Sequence, residues 1–467
     1  MRKARLLSVM LVLALAGCDM APDYAPPKVA VPPAYKEVGP WSPATPADDA
    51  RRGDWWSIFS DPVLNGLEGR IEKASPRLAA AVARYDQARG FAAQARSSIF
   101  PSLDLDVSGE RDRLSANRPL QSKSAVYNDY AGGLAASYEL DLWGRVRNMV
   151  VQGNADEAAS AADLASVHLS LQAELADDYL RLRGLDAETA LLTDTVDAYT
   201  KALQLATTRH ADGASSAIDV GRAETQLASA RAQLSDVGAD RALLEHAIAA
   251  LVGEPASSFS IAPAVRKFTV PVVPVTTPSV LLQRRPDIAA AERRVAAANA
   301  GIGVQRAAFY PDVTLGLSGG FESVGGALLA APSAFWALGP AEAMLSIFDG
   351  GAKSAALAVA HGEFDEAAAN YRQTVLDSFR EVEDQMALSN RLADEARHQD
   401  DAVAAASRTD KLAFVRYREG AADYLEVVTA QTAELQAEMA ALNVQTRRLQ
   451  ASIALIRAMG GGWTREG

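Results

Sequence analysis

Cysteine occurs once in 467 residues, so no disulfide within the chain is available. The five histidines, at 168, 210, 246, 361 and 398, show no metal-ligand spacing. A basic excess is missing too: 46 Lys and Arg stand against 58 Asp and Glu, a net charge of −12, which leaves no electrostatic footprint for nucleic acid. Aromatics make up only 6%, and much of the apolar 49% is alanine, which favours closely packed helices over a thick aromatic core. Past the N-terminus there is no apolar run of about 18 residues, so no transmembrane helix is expected in the mature chain. Enzyme motifs are lacking. "GIGVQR" at 301–306 begins like a dinucleotide fingerprint but has no third glycine, and there is no nucleophile elbow or phosphate loop. No catalytic residue, cofactor or metal ligand is expected.

What is present begins at the N-terminus. Arg2, Lys3 and Arg5 precede a short apolar run, "LLSVMLVLALAG", which suits a signal peptide over 1–17. The run ends in "LAGC", Leu15 to Cys18, which resembles a bacterial lipobox and implies cleavage before Cys18 and its lipidation. Removal of 1–17 deletes three positive charges and takes the net side-chain charge from −12 to −15. Asp19 follows the cysteine and resembles an inner-membrane retention signal of some enteric bacteria. Residues 22–46 hold eight prolines, a spacing that excludes helix and central strand and reads as an extended arm; the lipidated arm is set at 18–60.

A second proline-rich stretch, 255–286, separates two halves that look alike. "FPSLDLDVSG" at 100–109 matches "YPDVTLGLSG" at 310–319, and "RHADGASSAIDV" at 209–220 matches "RYREGAADYLEV" at 416–427. Gly213 and Gly420 lie 207 residues apart, as do Gly253 and Gly460, and an offset held over that distance points to duplication. The repeats are set at 61–254 and 284–467 with a linker at 255–283. Each contains a long proline-free run of good helix formers, broken strongly only at the matched glycine. Two helices per run, folded back at that glycine, give hairpins over 146–252 and 352–459. Sixty-odd helical residues reach roughly 100 Å, and a hairpin of that length needs coiled-coil partners along it.

Two strands precede each hairpin, at about 101–113, 127–141, 311–322 and 336–348. In "SLDLDVSG", 102–109, Leu103, Leu105 and Val107 alternate with Asp104 and Asp106, the period of a strand with one apolar and one wet face. Four strands cannot close a membrane barrel, for which about eight is the minimum, whereas three copies supply twelve. On this reading the apolar side chains face lipid and the aspartates face water. The pattern alone does not exclude a small soluble sandwich.

The chain resembles TolC-like outer-membrane efflux proteins, in their lipoprotein (NodT-type) branch serving resistance-nodulation-division pumps. "DWWSIFSDPVLNGL" at 54–67, "SYELDLWGRVR" at 137–147, "LLQRRPDIAAAERRVAAANAGIGVQRAAFYPDVTL" at 281–315 and the duplicated hairpin-tip motif carry the resemblance. It implies an α+β membrane protein: a homotrimeric 12-stranded β-barrel continuous with a long α-helical coiled-coil barrel, from a duplicated strand-strand-helix-helix unit. It implies an outer-membrane exit duct in a Gram-negative bacterium, lipid-anchored, with the helical part in the periplasm. Its partners would be a periplasmic adaptor (membrane fusion) protein and an inner-membrane pump, and its cargo small toxic compounds. Two other functions remain open at this point: the exit channel of a type I protein-secretion system, and a lipid-anchored coiled-coil spacer without a channel.

By the same resemblance the periplasmic gate falls on Asp219, Glu426, Tyr417 and Thr429. Thr429 stands where the family has a second acid, and Ala422 where it has an arginine. Without the family, Asp219 and Glu426 read equally as solvated acids at helix starts, favoured by the helix dipole. Gly213, Ala214, Gly420 and Ala421 fall on the adaptor-docking tip. "RRPD" at 284–287 reads as structural, with Pro286 at the first position of a helix and Asp287 in its first turn.

Overall fold

The computed structural model describes residues 19–37, 53–117, 124–273, 278–324 and 333–461. Cys18 and the signal peptide lie outside the described residues. A 3-10 turn at Trp55–Phe59 leads into α1, Pro62–Ala74, and α2, Pro76–Ser97. Strands β1, Ser102–Leu114, and β2, Ala125–Glu139, precede α3, Arg145–Ala211, and α4, Ala217–Leu251. The order then recurs: α5, Pro278–Arg284, and α6, Pro286–Ala307; β3, Asp312–Ser323, and β4, Ser333–Met344; α7, Ala352–Arg418, and α8, Tyr424–Ala458. α3 and α7 each have 67 residues, and α4 and α8 each have 35.

Three boundaries differ from the sequence reading, each for a local reason. β2 stops at Glu139 because Asp141 accepts the amides of Val146 and Arg147 at 3.1 and 2.9 Å and so starts α3. β4 stops at Met344, opposite Asp312, because Pro311 precedes the partner strand; Leu345 and Ile347 therefore lie outside the sheet. Within the stretch set as a linker, 255–283, the short helix α5 begins at Pro278. Nor are the two halves compact bodies. Among the described residues, one unit gathers those of 84–161 and 290–372 with 19–28, and the other gathers those of 29–83, 162–289 and 373–461.

In the first unit the four strands form one antiparallel sheet in the order β1-β2-β3-β4. The ladder settles which side chains share a face. Leu105 pairs with Leu134, Leu134 with Gly319 and Gly319 with Trp336; Leu103 pairs with Ala136, Ala136 with Leu317 and Leu317 with Leu338. That face is apolar across all four strands. The other carries Asp104, Asp106, Ser137, Ser318, Thr314 and Glu342. No second layer covers the apolar face among the described residues: Leu105 is 73% exposed, Trp336 80% and Leu338 82%. An uncovered hydrophobic face does not fit a soluble sandwich, whose hydrophobic face would be buried. β2 and β3 approach closely at glycines; a Cβ on Gly320 would stand 2.4 Å from the Gly132 carbonyl oxygen.

The proline-rich arm is docked over its first stretch. Asp19 accepts from Asn148 Nδ2 at 2.8 Å, the Pro22 carbonyl accepts from Asn299 Nδ2 at 2.8 Å, and the Tyr24 hydroxyl donates to Glu292.

The second unit holds the helical core. Leu171, Leu175, Tyr179, Leu182, Ile248, Leu455 and Ile456 are buried there. A polar network ties the segment after α4 onto its own hairpin. Asp186 receives Arg183 Nη1 at 2.7 Å and Arg241 Nε at 2.6 Å, and those arginines donate onward to the carbonyls of Ala262 and Ile261. Arg285 does the same for the second half. It donates to Glu381 at 2.7 Å, to the Ala458 carbonyl at 2.9 Å and to Asp287 at 2.6 Å.

Candidate functional site at the hairpin tips

Both long helices end in the same way. Gly213 and Gly420 take positive φ, 72° and 77°, which a glycine allows without strain. Gly213 N donates to His210 O and Ala214 N to Arg209 O; Gly420 N donates to Tyr417 O and Ala421 N to Arg416 O. The offsets are identical and make a Schellman motif at each tip. Ala214 and Ala421 are exposed beside their glycines, so both tips present small side chains and bare backbone to solvent.

The return helices start on acids. Asp219 closes a capping box: its backbone amide donates to Ser216 Oγ at 3.3 Å, and Ser216 N donates back to its carboxylate at 3.2 Å. Arg222 lies 3.8 Å from the same carboxylate. On α8, Asp423 is the N-cap and accepts from Glu426 N at 3.1 Å, while Glu426 itself receives Arg416 Nη1 at 3.0 Å. Thr429 is exposed, and its hydroxyl donates to the Leu425 carbonyl one turn back on its own helix.

Tyr417 sits inside the seam between the hairpins. It is 2% exposed and packs with Tyr424, Val427, Ala202, Ala206 and Ala223. Its ring centroid is 5.2 Å from that of Tyr424. Its hydroxyl lies by Ser215 but makes no well-formed hydrogen bond among the described residues. Burial pushes the phenol above its ordinary value; nearby Arg209 opposes that rise and Asp219 adds to it.

At the tips the hairpins are also tied by Arg209, which sequence reasoning missed. Its guanidinium lies 4.7 Å over the Tyr417 ring and donates to the carbonyls of Tyr417 at 2.7 Å and Arg418 at 3.3 Å. A cation at the C-terminal end of α7 also meets the negative end of that helix dipole. The sequence reading looked for the linking arginine at 422, where alanine stands. Arg209 escaped notice because its partners are main-chain carbonyls, which no letter in the sequence reports.

A sheet with one bare hydrocarbon face, joined to two long hairpins of equal length, defines an outer-membrane protein with a helical body. The chain belongs to the outer membrane efflux protein family, which matches it twice, over residues 69–254 and 277–461. It is 31% identical to the toluene efflux pump outer membrane protein TtgC of Pseudomonas putida, over 99% of this chain and 96% of that protein. It is 32% identical to the pyoverdine export outer membrane protein OpmQ of Pseudomonas aeruginosa, over 99% of this chain and 97% of that protein. The solved structure of the outer-membrane channel OprN superposes with a TM-score of 0.85 at 30% identity, covering 96% of this chain and all of that one. The protein is thus an outer-membrane efflux channel of a Gram-negative envelope.

Proposed function

We propose that three copies of the chain form a passive exit duct for small toxic compounds, fed by a periplasmic adaptor and an inner-membrane pump. The observation that carries this reading is the uncovered apolar sheet face. Four strands with free edges at β1 and β4 leave backbone donors and acceptors that hydrocarbon cannot satisfy, so a membrane sheet must close on itself. Three sheets give a 12-stranded barrel with Leu103, Leu105 and Val107 toward lipid and Asp104 and Asp106 toward the lumen. The two hairpins per copy then give a helical barrel of six hairpins. The twofold family match, the equal helix lengths and the identical tip bonds all support a duplicated unit.

Cys18 is the lipid attachment point, one residue before the docked Asp19. Gly213, Ala214, Gly420 and Ala421 form the surface that meets the adaptor, since small side chains allow close helix approach. Asp219 and Glu426, with the Tyr417 seam, form the periplasmic gate; Thr429 contributes no carboxylate to it. Rings of like charge repel when drawn close, so the gate favours cations and resists full constriction. The names of the relatives cover cargo as different as toluene and pyoverdine, which fits a duct whose selectivity resides in its pump.

Single-channel conductance of the purified protein in a planar bilayer, beside the paired variant Asp219→Ala and Glu426→Ala, tests the reading. Small cation-preferring currents that grow in the variant are expected. Unchanged conductance and ion preference in the variant remove both acids from the gate, and absence of current from bilayer-inserted trimers removes the duct.

A further inference from the structure

Asp410 on α7 and Glu434 on α8 stand at the positions that Leu203 and Leu227 hold in the first hairpin, 207 residues earlier. In the first hairpin the pair is apolar, and Leu203 and Leu227 pack in one cluster with Tyr199 and Ala230. In the second hairpin two carboxyl groups take the place of the two leucines. Both are half-buried, and their side chains meet across the hairpin. This level lies ten residues before Gly420, about 15 Å along α7.

The level is short of hydrogen-bond donors. Asp410 Oδ1 is buried with no hydrogen-bond partner among the described residues. Gln431, one turn before Glu434 on the same face of α8, is also buried, and its Oε1 is unpartnered in the same way. Two ionised carboxylates offer acceptors only, so a bond between them needs a proton that one of them keeps. Four other side chains surround the pair. Tyr199 of α3 brings a phenol, which lies by Gln226 of α4. Glu438, one turn beyond Glu434 on α8, adds a third acid, and the exposed Lys411 of α7 adds a positive charge.

We propose that Asp410 and Glu434 form a proton-held latch between α7 and α8: with a proton between them they bond across the second hairpin, and without it two carboxylates repel and the hairpin loosens at that level. Burial and the neighbouring Glu434 push the Asp410 carboxyl up to about 6; Glu438 pushes the same way and Lys411 opposes. In the unfolded chain the same carboxyl gives up its proton near 3.8. The folded value is the raised one. The latch therefore contributes fully below about 3.8 and is lost as pH rises through about 6. The matched level of the first hairpin holds leucines and has no such response. The latch lies within one copy, so it does not depend on how many copies assemble.

Amide hydrogen exchange of the purified full-length protein in detergent, at about pH 5 and about pH 8 and corrected for the intrinsic effect of pH on exchange, tests the latch. Protection over 403–414 and 430–440 is expected to fall several-fold at the higher pH, while the matched stretches 196–207 and 223–233 keep theirs. Asp410→Asn, which supplies a permanent donor to Glu434, is expected to keep protection at both values. The paired variant Asp410→Leu and Glu434→Leu, which copies the first hairpin, is expected to do the same. Equal protection of the wild type at both values overturns the latch, and so does a fall that persists in the leucine variant.

Discussion

Glu68 is buried on α1 with neither carboxylate oxygen hydrogen-bonded among the described residues. Burial pushes its carboxyl up to about 9, and Asp54 and Glu72 push the same way. The folded protein keeps the proton, whereas the unfolded chain releases it near the ordinary value of 4.5. Stability from this group is therefore whole below that value and is lost as pH rises toward the folded one. Glu68→Gln keeps the neutral shape without the proton. Its melting temperature should match the wild type at about pH 4 and exceed it increasingly toward about pH 9; parallel pH curves would show that Glu68 is not held neutral. Asp186 is the opposite case, a buried charge fully partnered. Asp186→Ala leaves the buried Arg183 without a carboxylate, while Arg241 keeps Glu245 at 3.0 Å, and should cost about 3 kcal/mol, read by denaturant unfolding. The family resemblance of the duplicated tip motif is what singles out Asp219, Glu426 and Tyr417; their spacing alone does not. The sequence could not reveal Arg209 or Glu68, whose roles come from carbonyls and cavities supplied by distant segments.

Glycine at a helix end does two jobs that substitution separates. Gly213 has positive φ and open space around its Cα, so Gly213→Ala meets only the left-handed backbone penalty, about 1–2 kcal/mol. Gly253 also has positive φ, 77°, but a Cβ there would stand 2.1 Å from the Ala74 carbonyl oxygen. Gly253→Ala should therefore be clearly the more destabilising of the two in a melting experiment, and equal losses would show that α1 yields freely. Helices were the most legible elements. Their long runs of strong formers end at the matched glycines, and Gly213 falls between Arg145–Ala211 and Ala217–Leu251, where the chain was expected to fold back. Strand ends were less legible, because they depend on where the partner strand runs out. Met344 ends β4 by facing Asp312, a fact of register and not of local pattern.

At the scale of the whole molecule, anchor and assembly are expected to be separable. Cys18→Ala should abolish lipid labelling yet leave trimers on a gel run without boiling, because the proposed barrel holds itself in the membrane; loss of trimers at equal expression would make the lipid part of assembly. The sequence showed two halves but not how they combine. The sheet pairs β2 of one half with β3 of the other, and each compact unit draws on both. Periodicity reports an element and repetition reports its copy, but neither reports which copies pair.

The matched lengths, 67 with 67 and 35 with 35, have a consequence for how such a chain can change. Each added helical residue advances the rest by about 1.5 Å and turns it by about 100°. One residue inserted into α3 alone would swing Arg209 off the α7 carbonyls and leave one tip standing proud of the other. The hairpins behave as a pair of rulers cut to one mark, so that substitutions accumulate singly while insertions and deletions are tolerated only when both rulers are recut together.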